Sequence, residues 1–254
     1  MNAAPFLFVL VGLAVVGFAA YSFLQDGKRR QALAGYAASN RWTYVAEDDS
    51  LCLRWNGTPF GQGDRRRARN VLNGAARGRP FTAFDYQYDT ETSTGVGNES
   101  LMEGVTVGNR RRTTHHYFVV TVHLPTWLPG LQVTPDNVLT RAAAAVGIGT
   151  GIELESEDFN RHFHVTAHDP KFASDVLTPR TMEGLLRSQG LAWRIEGQDI
   201  VSWGSGKVEP VALLARLGTL NGVVDGVPEF VWKDNGFDPG TGAQPMPPAE
   251  GSLS

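Results

Sequence analysis

The densest set of metal-ligating side chains in this sequence is His162, His164 and His168, followed directly by Asp169. Read as a strand, the segment points His162 and His164 one way and Phe163 and Val165 the other. Neutral imidazoles at that spacing can share a zinc ion. A metal-dependent hydrolase on His162, His164 and His168 is therefore one reading of the chain. No second ligand cluster at a recognised spacing accompanies them, and a solvent-facing polar edge is the plainer explanation. His115 and His116 alternate faces, and His115 and His123 lie too far apart to chelate together. No metal or other cofactor is expected.

Other reaction chemistries fail on their spacing. Gly204-Ser205-Gly206-Lys207 lacks the upstream glycine and the following Ser or Thr of a nucleotide loop. Gly147, Gly149 and Gly151 follow an alanine-rich helical pattern, where a dinucleotide site would precede one. No nucleophile elbow is present, and Cys52 has no neighbouring signature of activation. As the single cysteine, it excludes an intramolecular disulfide framework and fits a reducing compartment.

Arginine is the more unusual feature. Arg65, Arg66 and Arg67 form one triplet, Arg110, Arg111 and Arg112 a second, and Lys28, Arg29 and Arg30 a third basic cluster. These stand in a chain of formal net charge −3, which argues against a nucleic-acid binder. The plain reading is solvated loops; the functional one is contact with anionic lipid headgroups or an acidic partner.

The third cluster follows an uncharged run, Pro5 to Leu24. At about 1.5 Å per residue such a run crosses the roughly 30 Å hydrocarbon core as one helix. A cleaved signal peptide normally begins with a basic region, and none precedes Pro5. Lys and Arg resist translocation, so the reading is a short extracytoplasmic N-terminus (1–4), a transmembrane helix (5–24) and a basic juxtamembrane helix (25–40). The rest of the chain is then cytoplasmic, on a single-pass cell-membrane protein.

What must position these residues is a domain over 41–232, divisible at 150 into 41–150 and 151–232. Ala68–Ala75 and Arg79–Tyr88 flank Arg77-Gly78 and read as a hairpin, with Phe84, Tyr86 and Tyr88 on one face. Asp89–Arg112 reads as a loop or hairpin tip. Thr113–Leu124 alternates strictly, with Phe118, Val120, Val122 and Leu124 on one face. Pro125 and Pro129 are expected to end that strand. Asp49 or Ser50 is expected to cap a short turn. Helices are expected from Pro135 to Val146, Pro170 to Leu177, Pro179 to Gln189 and Pro210 to Val224. Trp193–Glu196 and Asp199–Trp203 are expected to form a hairpin about Gly197-Gln198. Beyond Trp232 the Pro-, Gly- and Ser-rich sequence predicts a disordered tail, 233–254.

The segment Glu153 to Val165, with Asp175 to Glu183 and the upstream Gly78 to Tyr86, resembles uncharacterised membrane-anchored proteins of high-GC Gram-positive bacteria, a family of unknown function. In that family a Glu-Ser-Glu-x-Phe-Asn…Phe-x-Val strand precedes a Leu-Thr-Pro helix start. The resemblance covers most of residues 70–230 and implies a membrane-tethered domain without an assigned activity. The sequence thus predicts an α+β fold: one transmembrane helix, then a mainly antiparallel sheet with packed helices. The expected function is a non-enzymatic interaction or scaffold domain with an unknown protein partner. Besides the hydrolase, the alternative is a lipid or small-ligand binder using Phe84, Tyr86 and Tyr88.

Overall fold

Arg77 and Gly78 both adopt positive φ, 52° and 78°, the conformation a two-residue hairpin turn demands. They join β2 (Asp64–Ala76) to β3 (Arg79–Thr94), with Ala76 opposite Arg79. A computed structural model describes residues 25–94, 109–136, 150–188 and 190–241 of the chain. The sequence-predicted membrane helix, residues 95–108 of the expected loop Asp89–Arg112, and the alanine-rich helix lie outside the described residues, apart from the first two residues of that helix. Residues 89–94 and 109–112 of that loop are instead paired strand, because the two arms stay in register beyond Tyr88. Among the described residues no helix is long and apolar enough to cross a membrane.

β4 (Asn109–Pro135) returns along β3, from Asn109 opposite Thr94 to Val122 opposite Phe81. It does not stop at Pro125. The register moves from His123 opposite Asp199 to Leu128 opposite Gly197, so Pro125 to Trp127 form a bulge and the strand continues to Pro135. A bulge needs no ladder donor from its extra residues, which is why proline is tolerated there. The partner across this bulge is β7 (Ala192–Ser205), one unbroken strand along β4 from Trp193 to Ser205. The expected hairpin at Gly197-Gln198 is therefore absent. Gly197, at φ 65°, sits where the register shifts, and β4 supplies partners to both halves of β7.

β1 (Thr43–Glu47) pairs outside β2. β6 (Phe163–Ala167) takes over the edge of β4 at residues 131–135, with β5 (Thr150–Ile152) outside it. The seven strands among the described residues form one antiparallel sheet.

Alternation along β4 separates two cores. Phe118, Val120 and Val122 face the helices: α1 (25–39), α2 (Glu157–His162), α3 (Pro170–Val176), α4 (Pro179–Arg187), α5 (Pro210–Gly226) and α6 (Glu229–Asp234). Three helix starts are fixed by side-chain caps, Ser156 to the Phe159 amide, Asp169 to Lys171 and Thr178 to Thr181. Val119 faces the other way, with Phe84, Tyr86 and Tyr88, into a core covered by the segment between β1 and β2. That cover includes a short 3-10 helix, Asp49–Leu53, capped by Asp48 rather than by Asp49 or Ser50. At the far end, α6 runs to Asp234, and Phe237 packs edge-on against Trp232 with centroids 6.2 Å apart. That aromatic contact, with the hydrogen bond from Thr126 to the Asn235 carbonyl at 2.7 Å, ties residues 235–237 to the folded domain.

Candidate functional site: the basic end of the sheet

α1 follows the apolar run and is held to the sheet by one carboxylate. Asp85 on β3 accepts two hydrogen bonds from Arg29, at 2.6 and 3.1 Å. It also accepts from Asn70 Nδ2 at 2.7 Å and from the Val208 amide at 2.6 Å. Arg29 donates further to the Val208 carbonyl at 2.9 Å, and Tyr44 Oη donates to Asn70 Oδ1 at 2.8 Å. Asn70 takes a positive φ of 51° within the β2 register shift, a conformation asparagine tolerates better than most residues. With Arg29 and Asp85 side chains 25% and 13% exposed, this is a largely desolvated pair whose partners are satisfied. It ties α1, β1, β2, β3 and the segment entering α5 together.

The helix has a direction. Arg29 meets Asp85, whereas Tyr36 packs on Trp42, which packs on Phe81 nearer the Arg77-Gly78 turn. Leu33 and Ala37 bury between these points, so α1 starts toward the other end of the sheet. Both arginine triplets lie toward that end. Arg67 is opposite Gln87, Arg112 opposite Glu91, Arg111 opposite Thr92 and Arg110 opposite Ser93. The structure thus brings three basic clusters, separate in sequence, to one end of the molecule.

It does not make them one surface. Strand alternation puts Arg67 and Arg112 on the α1 side, and Arg66 and Arg111 on the other. Three members are occupied: Arg29 by Asp85, Arg67 by Glu47 at 3.1 Å and Arg112 by Glu91 at 2.8 Å. Among the described residues, Lys28, Arg30, Arg65, Arg66 and Arg111 have no ion-pair partner. Burial raises the pKa of Tyr44, with Arg30 and Arg29 pulling it down. Burial likewise pushes the Cys52 thiol up to about 11, reinforced by Asp49 and opposed by Arg66. Such a thiol is inert.

The histidines do not converge. His162 ends α2, its Nδ1 2.8 Å from the Asp158 carbonyl, instead of sharing a strand face with His164. His164 lies on β6 with its ring over Gly151 of the neighbouring strand, and His168 is exposed beyond the strand end. Among the described residues no three His, Cys, Asp or Glu side chains are arranged to hold a metal. Phe84, Tyr86 and Tyr88 are core residues, at 0%, 0% and 4% exposure, packed with Trp55 and Phe60.

A second carboxylate hub escaped sequence reasoning. Asp199 receives Arg54 Nε, Trp55 Nε1 and His123 Nδ1, each at 3.1 Å. Beside it the fully buried Arg194 donates to Glu196 at 2.9 Å, to the Thr58 carbonyl at 2.7 Å and to the Asn56 carbonyl. Together these strap residues 54–58 across the aromatic core. Asp85 left a faint sequence trace, as an acid between Phe84 and Tyr86 on the strand side it shares with Phe81 and Ala83. Asp199 left none, because its partners are far away in the chain.

No protein-family model matches the chain, and no curated protein sequence matches it significantly. A solved fold does. The mycobacterial trehalose monomycolate transport factor A, TtfA, superposes with a TM-score of 0.51 at 13% identity, covering 78% of this chain and 96% of that one. At that identity the likeness is one of fold.

Proposed function

We propose that this protein is a membrane-tethered, non-enzymatic interaction or scaffold domain, accessory to a transport process, at the cytoplasmic face of the cell membrane. The observation that carries the reading is the Asp85 network. It locks the helix directly following the uncharged run Pro5–Leu24 into the sheet, so an anchor there would orient the whole domain. The cations without an ion-pair partner among the described residues cluster at the same end, where each attracts anionic headgroups by roughly 1 kcal/mol. The likeness in fold to a transport factor supports the accessory role, and the resemblance to membrane-anchored bacterial proteins supports the tether.

Topology follows from Lys28, Arg29 and Arg30 after an uncharged N-terminus. In a bacterial host, alkaline phosphatase fused after Thr241 should be inactive and a cytoplasmic fluorescent reporter bright. An active phosphatase fusion would place the domain on the other side and end this reading.

A further inference from the structure

At the end of the molecule away from the basic clusters, α4 and α5 leave a groove of about 530 Å³ between them. Its floor is made by glycines on the exposed faces of both helices, Gly184, Gly218 and Gly222. A methyl group added at any of the three would touch nothing within 4 Å. Packing therefore does not require glycine here, although glycine is the poorest helix former after proline. Gly226 differs, since a Cβ there would meet Thr181 Oγ1 at 2.7 Å. The three open glycines weaken their helices and gain only space.

Two further observations define what that space suits. Beyond the groove, helical spacing puts Leu214 and Val211, 53% and 82% exposed, on the same side of α5 as Gly218 and Gly222, while Leu213, Leu217 and Leu220 on the other side are buried. α5 is thus apolar on both sides, the pattern of a helix covered on both sides. From Val211 to Gly222 the stripe runs about 16 Å, three helical turns. The rim is cationic: Arg77, Arg180 and Arg187 line the groove, against the single acid Asp225, which Arg77 and Arg79 already hold at 2.9 and 2.7 Å.

We propose that the α4–α5 groove is a docking site for an acidic amphipathic helix of a protein partner. Its small, apolar side would lie on the glycine floor and the Val211–Leu214 extension, and its carboxylates would meet Arg180 and Arg187. A second copy of this chain is disfavoured because it would bring the same guanidinium rim to itself. The glycine floor, unlike the Val211 end near the α1 contact at Val208, stands off from the anchoring bilayer, since Arg79 lies about 20 Å along β3 from Asp85. The assignment rests on the interaction-domain reading and names where that interaction occurs.

Because Cys52 is buried, a cysteine at Thr219, on the groove wall beside the glycine floor, can be labelled selectively. The full chain carrying Thr219→Cys with a photo-crosslinker would be irradiated in its native membrane, and the crosslinked peptide sequenced. Leu53→Cys, 80% exposed on the opposite face of the sheet, is the parallel probe. The proposal expects an adduct from Thr219→Cys to an acidic helical segment of another protein. That adduct should fall at least tenfold with Arg180→Glu and Arg187→Glu and return when the partner's acids are changed to lysine. Gly218→Leu, which fills the floor, should abolish it as well, while Gly184→Ala raises the melting temperature. An adduct only to lipid, only to a second copy of this chain, or unchanged by charge reversal would overturn the proposal. Capture from Leu53→Cys but not from Thr219→Cys would overturn the groove and leave the interaction domain standing; capture from neither would count against both.

Discussion

Asp85 and Asp199 are built alike and serve different ends. Each is a mostly buried carboxylate on a strand, saturated by an arginine and by neutral donors, and each fixes a segment distant in sequence. Asp199 holds residues 54–58 over the aromatic core of Trp55, Phe60, Phe84 and Tyr86, a cover whose value lies in the apolar area beneath it. Asp85 holds α1, whose exposed outer turns bury only Leu33 and Ala37. A helix with so small an apolar contact gains its fixed position from polar bonds. Removing the hub should therefore uncouple α1 and leave the sheet intact, whereas damage to the other face should reach the whole fold.

Phe60→Ala tests the second half of that contrast and carries the largest expected effect. Phe60 is 1% exposed against Trp55, Phe84 and Tyr86, so truncation should cost about 3–5 kcal/mol. Urea denaturation should show a single, earlier transition. A loss below about 1 kcal/mol would mean that the loop is a loose lid, and the two faces would no longer differ as described.

Asp85→Ala comes next. It leaves Asn70 and the Val208 amide without their acceptor and frees Arg29, which at 25% exposure can turn to water. The expected cost is about 2–3 kcal/mol, below that of breaking a fully buried pair. Hydrogen exchange should quicken across 29–39 while β3 and β4 stay protected. Equal loss of protection in the sheet would contradict the uncoupling.

A surface carboxylate provides the smallest effect. Burial tends to raise the Asp225 pKa, but Arg79 and Arg77 together hold it below the usual range. A depressed folded pKa contributes stability above the unfolded value of about 4, lost as pH falls through the folded one. At 44% side-chain exposure that contribution should be under about 1 kcal/mol. Asp225→Asn should lower the urea midpoint slightly at pH 7, with the gap to the unmodified protein closing as pH falls through the depressed folded-state value. A large or pH-independent gap would give this exposed pair the weight assigned here to buried hubs.

The differences between expectation and structure follow from range. Alternation in Thr113–Leu124, the Arg77-Gly78 turn and the prolines opening α3, α4 and α5 are local, and the structure matches them. Gly197-Gln198 is an equally good local turn, overruled because β4 runs past both halves of β7. Pro125 failed as a terminator for the same reason. The basic clusters were visible as composition, but their gathering at one end depends on the β2–β3–β4 register and on a contact between residues 29 and 85. His162 was misplaced because a helix ends at that residue and the strand starts one position later.

The central claim is that the domain stands on the membrane by its basic end, held there through α1. Lipid-borne paramagnetic relaxation of spin labels on the full chain in nanodiscs tests it most directly. Labels at Arg65→Cys and Thr92→Cys mark the basic end, and Arg77→Cys marks the opposite one, with Cys52 too buried to compete. The account predicts strong relaxation at residues 65 and 92, almost none at 77, and convergence of the three when Asp85→Ala releases the helix. Equal relaxation at both ends in the unmodified protein, or stronger relaxation at Arg77, would contradict it.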